Sequence, residues 1–519
     1  MRCTLTLALP LVVALVARPA GATQWTVDAS AAAGGNGSPQ SPFKTLTQAA
    51  AVLATGDTVL VRAGTYNESV SFYQVKQGAG GRTTIKAAPG ATPIIDGGGS
   101  AGFVLEAGET PNMTFEGLTI RNTTGSGILF SKSHDGQVLS CTTQNTAAGV
   151  TFYLSDRGEV KGCDLVGGVS GKTTDGTLIH ESKIHGGSGM GIYLHAGSKS
   201  CKCTANEIYD NTPNNIYIDS SSDVTLDRNM IYMTGAPPTD HAAILLADEK
   251  YPNVTAPLLD KITITNNVML NNGLGVAFWS GDFPGSSGMK NTRIANNTIV
   301  NSAEAAISWD PGAHSAVIQN NILADDGKGS ASMLLMAKST TGVTLDHNLW
   351  DIPWVNDFIH WGGTAMTHYA WKQAASQGAG DVLATPGFAG PYAPPAQSFK
   401  LQPGSAAIDV GQALAFVTQD YEGSPRPAGA GYDIGAFERG GAATPDGGPT
   451  PDGTGIGDAG TIKPDALSTT DSGGGTDSGG TPSGSSEGGC SCALPGRGAP
   501  PADAGALLLL LTLLWRRRG

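Results

Sequence analysis

Charged side chains are scarce, at 14% of 519 residues, while glycine is abundant at 73. Helices draw on Ala, Leu, Glu, Lys and Arg, so this balance argues against a helical protein. The formal net charge is −13 and no sustained basic run precedes the last residues. The electrostatic footprint of a nucleic-acid binder is therefore missing, and no nucleic-acid partner is expected. Long apolar runs are missing as well. The stretch from Ala504 to Trp515 is apolar but falls short of the roughly 20 residues that cross a bilayer.

What is present begins at the two ends. "MRCTLTLALPLVVALVARPAGA" combines a basic start, an apolar stretch and the small-residue site Ala20-Gly21-Ala22. That is the pattern of a cleaved secretory signal over residues 1–22, with mature protein starting at Thr23. Residues 441–489 are nearly all Gly, Pro, Thr, Ser, Asp and Ala, too poor in large apolar groups to offset ordering entropy, and read as a disordered linker. In residues 490–519, Cys490 and Cys492 precede the short apolar segment, and Arg516, Arg517 and Arg518 end it. This tail resembles the MYXO-CTERM sorting tag of myxobacterial surface proteins. The resemblance implies an exported protein held at the cell surface, with Cys490 the processed or modified residue. Membrane contact is expected only through that tag, and the folded part is expected to be a monomer.

The middle of the chain repeats. "TITNNVML", "RIANNTIV", "VIQNNILA" and "TLDHNLWD" share apolar positions around a polar pair ending in Asn. Extended upstream, one column holds Gly117, Cys141, Cys163, Ser182, Asn206, Asn229, Asn267, Asn297, Asn321 and Asn348. Short alternating runs broken by Gly, Asn and Ser have the period of strands, and a fixed repeat must be resolved before any other fold assignment. Asn suits a corner with left-handed or near-left-handed backbone. Stacked at about 4.8 Å, such amides bond along the stack. The expected fold is all-β, a right-handed parallel β-helix solenoid.

Here the chain resembles the pectin-lyase-like β-helix superfamily, over about residues 25–440. The opening "WTVDASAAAGGNGSPQSPFKTLTQAAAVLATGDTVLVRAGTYNESV" is similar to that superfamily's first segment, which implies an N-terminal helical cap, "FKTLTQAAAVLA", over the open end of the solenoid. "FKLQPGSAAIDVG" and "GSPRPAGAGYDIGAFE" resemble the closing region of surface-anchored members. The expected divisions are cap and first coils at 23–100, β-helix repeats at 101–350 and a C-terminal cover segment at 351–440. Cys141, Cys163, Cys201 and Cys203 fall in core columns and read as packed thiols. A Cys141–Cys163 bridge is geometrically conceivable, whereas residues 201 and 203 share one strand and cannot readily pair.

The segment "TLIHESKIHGGSGMGIYLHAGSKS" holds three histidines. Register sends His180, Glu181 and Lys183 to a corner, where side chains diverge, and His185 into a loop. Those four read as surface. His195 lies on "GIYLH", with Tyr193 and His195 outward. Its outward column reads Ser131, Tyr153, Lys172, His195, Asp219, Ala247, Trp279 and Asp310; the parallel column includes Thr151, Ser170, Tyr193, Tyr217, Leu245, Ala277 and Ser308. Long connections, "MTGAPPTDHA", "EKYPNVTAPLLD" and "GDFPGSSGMK", are expected to wall this face, and insertions on one face of a solenoid mark its binding side.

A groove floored by residues 193–310 with exposed aromatics suits a polysaccharide. The expected chemistry is β-elimination on a uronate-containing glycan: Lys172 as base, His195 as acid or second base, and Tyr193 or Tyr217 as proton donor. Tyr153, Trp279, Asp310 and Asp219 are expected to contact substrate. Asp219 with Asp240 or Asp248 offers oxygen ligands for Ca²⁺. No lyase-specific motif is present. The alternatives are a non-catalytic surface adhesin that binds glycan, an inverting glycoside hydrolase, hydrolysis needing two carboxylates about 5 to 9.5 Å apart, and a plain salt-bridged surface row. His360 and His368 lack a metal-ligand frame and are assigned to the cover.

Overall fold

The structure, a computed structural model, describes residues 21–440 except 284–287, 313, 326–332 and 352–356. The expected export signal apart from its last two residues, the expected linker 441–489 and the expected tag 490–519 with Cys490 lie outside the described residues.

Each turn of the chain contributes up to three short strands, as in Leu178–His180, Lys183–His185 and Ile192–His195. Equivalent strands of successive turns pair in parallel. One face is a 13-stranded parallel sheet running from Gln24–Val27 to Val343–Asp346, and the remaining strands form the other faces. The result is the mostly β, parallel solenoid expected. Alternation explains it: Ile179, Ile184, Ile192 and Leu194 point inward and are fully buried, while the residues between them face out. Burying each such side chain stabilises by about 1.5–3 kcal/mol. Down the axis the core is filled in part by a column of rings, Phe72, Phe115, Phe130 and Phe152, with centroids 5.0 to 5.9 Å apart.

The corner between the first two strands carries the asparagine ladder. Asn206, Asn229, Asn267, Asn297, Asn321 and Asn348 are buried, and the amide oxygen of each from Asn229 onward accepts from both the backbone N–H and the Nδ2 of the previous one. The left-handed residue is not the ladder Asn but the one before it: Glu181, Ala205, Arg228, Asn266, Asn296, Asn320 and His347 all have φ between 51° and 57°. The first assignment in the column shifts for the same reason. Gly117 is the left-handed corner residue, at φ 68°, equivalent to Ser140 at φ 50° on the next coil, and donates to Leu139 O, so buried Leu118 takes the ladder position. Upstream of the asparagines, Cys163 Sγ accepts from Cys141 N, and all four described cysteines are buried free thiols, Cys203 pairing with Leu226 across the sheet.

Ladder spacing locates the insertion. Successive asparagines are 23, 38, 30, 24 and 27 residues apart, so the turn between Asn229 and Asn267 carries the longest extra chain. Among the described residues two α-helices accompany the coil. α1, Leu46–Val52, starts with a capping box between Thr45 and Gln48 and buries Leu46 and Ala49. α2, His368–Ala375, buries Trp371 against Trp350 and Trp361 beside the last strands. The region expected as an end cover does more than cover the end. Phe388, Phe399, Leu401, Ile434 and Phe437 pack on the outer sides of Tyr232, Val268, Leu270, Val300, Ile322 and Leu349, running back along the flank. It is pinned by a fully buried ion pair, Arg426 to Glu438 at 2.5 Å, with Arg426 Nη2 also donating to Asn266 Oδ1.

Candidate functional site

The outward columns form in the expected register. Tyr153 pairs with Lys172, Lys172 with His195, Tyr193 with Tyr217, Asp219 with Ala247, and Ala247 with Trp279. The columns differ from expectation in exposure. Tyr153 and Lys172 are open to solvent, and the Lys172 amine lies 5.7 Å from the centre of the Tyr153 ring. One coil on, His195 is 8% exposed, and on the coil after that Tyr217 is 3% exposed and Asp219 is fully buried.

The cause is the insertion. After the strand Ala242–Ala247 the chain does not stand as a wall but crosses over the face as a strap, residues 249–258. Tyr251 and Val254 close a tight turn by exchanging backbone hydrogen bonds. Asn253 Nδ2 donates to Ala196 O at 2.9 Å, tying the tip to the strand of His195. The strap's base is held by Asp248, whose Oδ1 accepts from the N–H groups of Leu258 and Leu259, and by Ser220, whose hydroxyl donates to Glu249 O.

Beneath the strap lies a polar chain that sequence reasoning found only in part. Tyr193 and Tyr251 share a hydroxyl hydrogen bond of 2.8 Å, and the Tyr251 hydroxyl donates to Asp219 Oδ2. Asp219 Oδ1 accepts from Ser220 Oγ and from Glu249 N. Tyr217 donates to Glu249 Oε1 at 2.8 Å, and the other Glu249 oxygen lies 3.4 Å from the Tyr251 hydroxyl. The rings stack: Tyr193 on His195 at 3.9 Å and Tyr193 on Tyr217 at 5.1 Å, both nearly coplanar. Glu249 and Tyr251 stood in the sequence only as part of a connection. Nothing in "EKYPNVTAPLLD" told that it folds inward rather than outward.

Burial sets the protonation states. It pushes Asp219 up to about 7, helped by the Glu249 charge, and raises Glu249 as well. His195 is pushed down to about 3 by burial and then by the Lys172 cation, so its ring is neutral, and its Nδ1 is buried without a hydrogen-bond partner. Tyr193, Tyr217 and Tyr251 are all raised, chiefly by burial, and stay protonated.

The other expected site residues are dispersed. Trp279 is half-buried, and Asp310 is ion-paired to Lys338 at 3.0 Å and accepts from Ser280 N. Asp240 is exposed and precedes the strand Ala242–Ala247, while Asp248 follows it. At about 3.3 Å per residue those carboxylates are on the order of 25 Å apart. Asp240 and Asp248 therefore cannot both join Asp219 at one Ca²⁺ site, and both Asp219 oxygens and Asp248 Oδ1 accept hydrogen bonds from the protein. Among the described residues no group of three His, Cys, Asp or Glu is arranged to hold a metal. The corner histidines behave as surface groups: His180 bonds Glu159 at 3.0 Å, His185 bonds Asp164 at 2.8 Å and stacks on Tyr209, and Lys183 pairs with Glu207.

A family described as "Right handed beta helix region" matches residues 166–349, and the parallel sheets are consistent with that description. No curated protein matches the sequence. Similar solved structures include pectate lyase Pel9A, with 13% identity covering 81% of this chain and 97% of that one at a TM-score of 0.47. XylC in complex with xylose shows 10% identity, 80% and 99% coverage and a TM-score of 0.46. A rhamnogalacturonan lyase shows 12% identity, 71% and 91% coverage and a TM-score of 0.38. At these values no residue role passes from those proteins to this chain.

Proposed function

We propose that this chain is an exported β-helix protein, anchored by its C-terminal tag, that takes an acidic polysaccharide on the face at Tyr153, Lys172, Tyr193 and His195 and cleaves it by β-elimination. α1 serves as the cap of the first coil. The observation that carries the reading is the neutral His195 ring, with an unpartnered Nδ1, stacked on a protonated Tyr193 and one coil from an exposed Lys172.

Each group then has a task. Tyr153 offers a ring face to a sugar, and Lys172 meets the uronate carboxylate. This moves Lys172 from base to carboxylate binder, because its amine stands in the open while the neutral imidazole can accept a proton without first losing one. His195 removes the C5 proton, the electron pair forms the C4–C5 double bond, the C4–O bond breaks, and Tyr193 protonates the departing oxygen. Solvent then takes the proton from His195 and returns one to Tyr193. Tyr217 is occupied by Glu249 and lies outside the reaction. The hydrolytic alternative loses the two carboxylate pairs read from the sequence, since Asp310 is ion-paired three coils from Asp219 and Asp240 is at the opposite strand end; Asp219 and Glu249, which both contact the Tyr251 hydroxyl, are the pair left to it.

Incubation with a panel of uronate polymers tests the reading, with absorbance of the unsaturated product followed over time. No absorbance gain together with retention on a glycan column supports the adhesin instead. New reducing ends without unsaturation support a hydrolase.

A further inference from the structure

The strap closes over the site through two carboxyl groups that no cation offsets. Asp219 and Glu249 both contact the Tyr251 hydroxyl, and among the described residues neither forms an ion pair. Apart from the neutral His195 ring, centred 5.5 Å from that of Tyr251, every element packed against them adds either a neutral hydroxyl or more negative charge. The strand of His195 gives Tyr193, the next gives Tyr217, and the turn after Trp279 gives Asp282, which accepts from Lys250 N. The nearby cations point elsewhere: Lys250 Nζ sits 5.1 Å from the Phe283 ring centre, and Lys172 lies over Tyr153.

Two carboxylates that share one hydroxyl in a buried space cannot both ionise cheaply, because each charge is desolvated and repels the other. Lifting the strap would hydrate both. We propose that residues 249–258 form a pH-operated cover, shut over Tyr193, Tyr217 and Asp219 when the Asp219–Glu249 pair holds a proton and released when the pair is fully ionised.

The direction follows from linkage. Asp219 titrates at about 7 under the strap, against a reference of 3.8 in water. The closed form therefore binds more protons between those values. Its advantage is complete below the lower one and is lost as pH rises through the upper. The consequence for glycan access rests on the functional reading above, whereas the cover itself does not. In acid the face is shut, and from neutral pH upward Tyr193 and His195 become reachable.

Hydrogen exchange on the full chain, read by mass spectrometry and corrected for intrinsic rates, tests the cover without any glycan. The expected result is that the strap amides, including those of Tyr251, Val254 and Leu258, lose protection about tenfold or more from about pH 5 to about pH 8.5. Amides of the Asn206–Asn348 ladder serve as the internal reference. In Asp219→Asn, and separately in Glu249→Gln, that loss should flatten. Strap protection in the wild type that does not change with pH overturns the proposal, as does a pH-dependent loss that persists in both variants. An exchange result of either kind leaves the lyase reading to its own absorbance assay, so the two can fail separately.

Discussion

The hydroxyls of Tyr193 and Tyr251 lie 2.8 Å apart, although 58 residues separate them in the chain. One comes from the floor of the face and the other from the strap laid over it. Their bond connects the stacked His195–Tyr193 pair to buried Asp219, and it makes the strap part of the site rather than a wall beside it.

Tyr193 and Tyr217 stack on each other yet should respond differently to loss of the hydroxyl. Tyr193→Phe removes the proposed acid and should lower kcat on a uronate polymer by about 100-fold or more. Tyr217→Phe removes only the bond to Glu249 and should leave kcat within about threefold, comparable to losing one ordinary hydrogen bond. Lys172→Ala should raise KM about tenfold, as expected when a charged hydrogen bond is lost. Equal effects of the two tyrosine changes on product absorbance would remove Tyr193 from its assigned role.

The asparagine ladder carries a separate expectation. Asn267 Oδ1 accepts from Asn229 N and Nδ2, and its own Nδ2 donates to Leu226 O and Asn297 Oδ1. Asn267→Ala strands buried donors in the middle of the stack. It should destabilise by about 2–4 kcal/mol, read as a lowered urea midpoint. Asn145, exposed and bonded through its side chain to Asn122 Oδ1, should cost about 1 kcal/mol on the same change, chiefly because its backbone is left-handed at φ 50°.

The buried pair Arg426–Glu438 fastens the flank segment. Arg426→Met leaves the Glu438 carboxylate buried beside Asp433 and Asp420. A loss of about 3–5 kcal/mol is expected, and limited proteolysis should release residues 387–438 first. Adding Glu438→Leu should recover most of that loss. If the double variant is as weak as the single one, the segment is held by its apolar contacts and not by the pair.

Much of this was legible in the sequence for a physical reason: a solenoid turns a one-dimensional repeat into a three-dimensional column. Once Asn229, Asn267 and Asn297 were aligned, the register of Lys172, His195 and Asp219 followed without coordinates. Gly117 went astray by one position because glycine marks the left-handed corner, and the corner and the ladder are adjacent residues. The strap was hidden for a different reason. Its course depends on Tyr251 meeting Asp219 and Asn253 meeting Ala196, contacts set by no periodicity. An outward Asp219 thus turned out to be a buried one.

His195 and Asp219 should oppose each other in the pH dependence of stability. His195 titrates at about 3 in the folded chain, against 6.5 when exposed. Its contribution is complete above the higher value and is lost as pH falls toward the lower. Asp219 behaves in reverse: folded at about 7 against 3.8, it contributes fully below the lower value and loses that contribution as pH rises through the upper. Between about pH 4 and pH 6.5 the two slopes cancel in part. Asp219→Asn removes one of them, so relative to the wild type it should gain stability from about pH 4 to about pH 8, by up to about 4 kcal/mol. His195→Gln should gain relative stability in the other direction, as pH falls from about 6.5 toward 4. Urea midpoints at three pH values distinguish these slopes. Opening of the strap hydrates Asp219 without unfolding the coil, so the gain in Asp219→Asn should level off once the pH passes the point at which the strap amides lose protection. A gain that keeps growing beyond that point would mean that Asp219 is released only by global unfolding, and that the strap does not move alone.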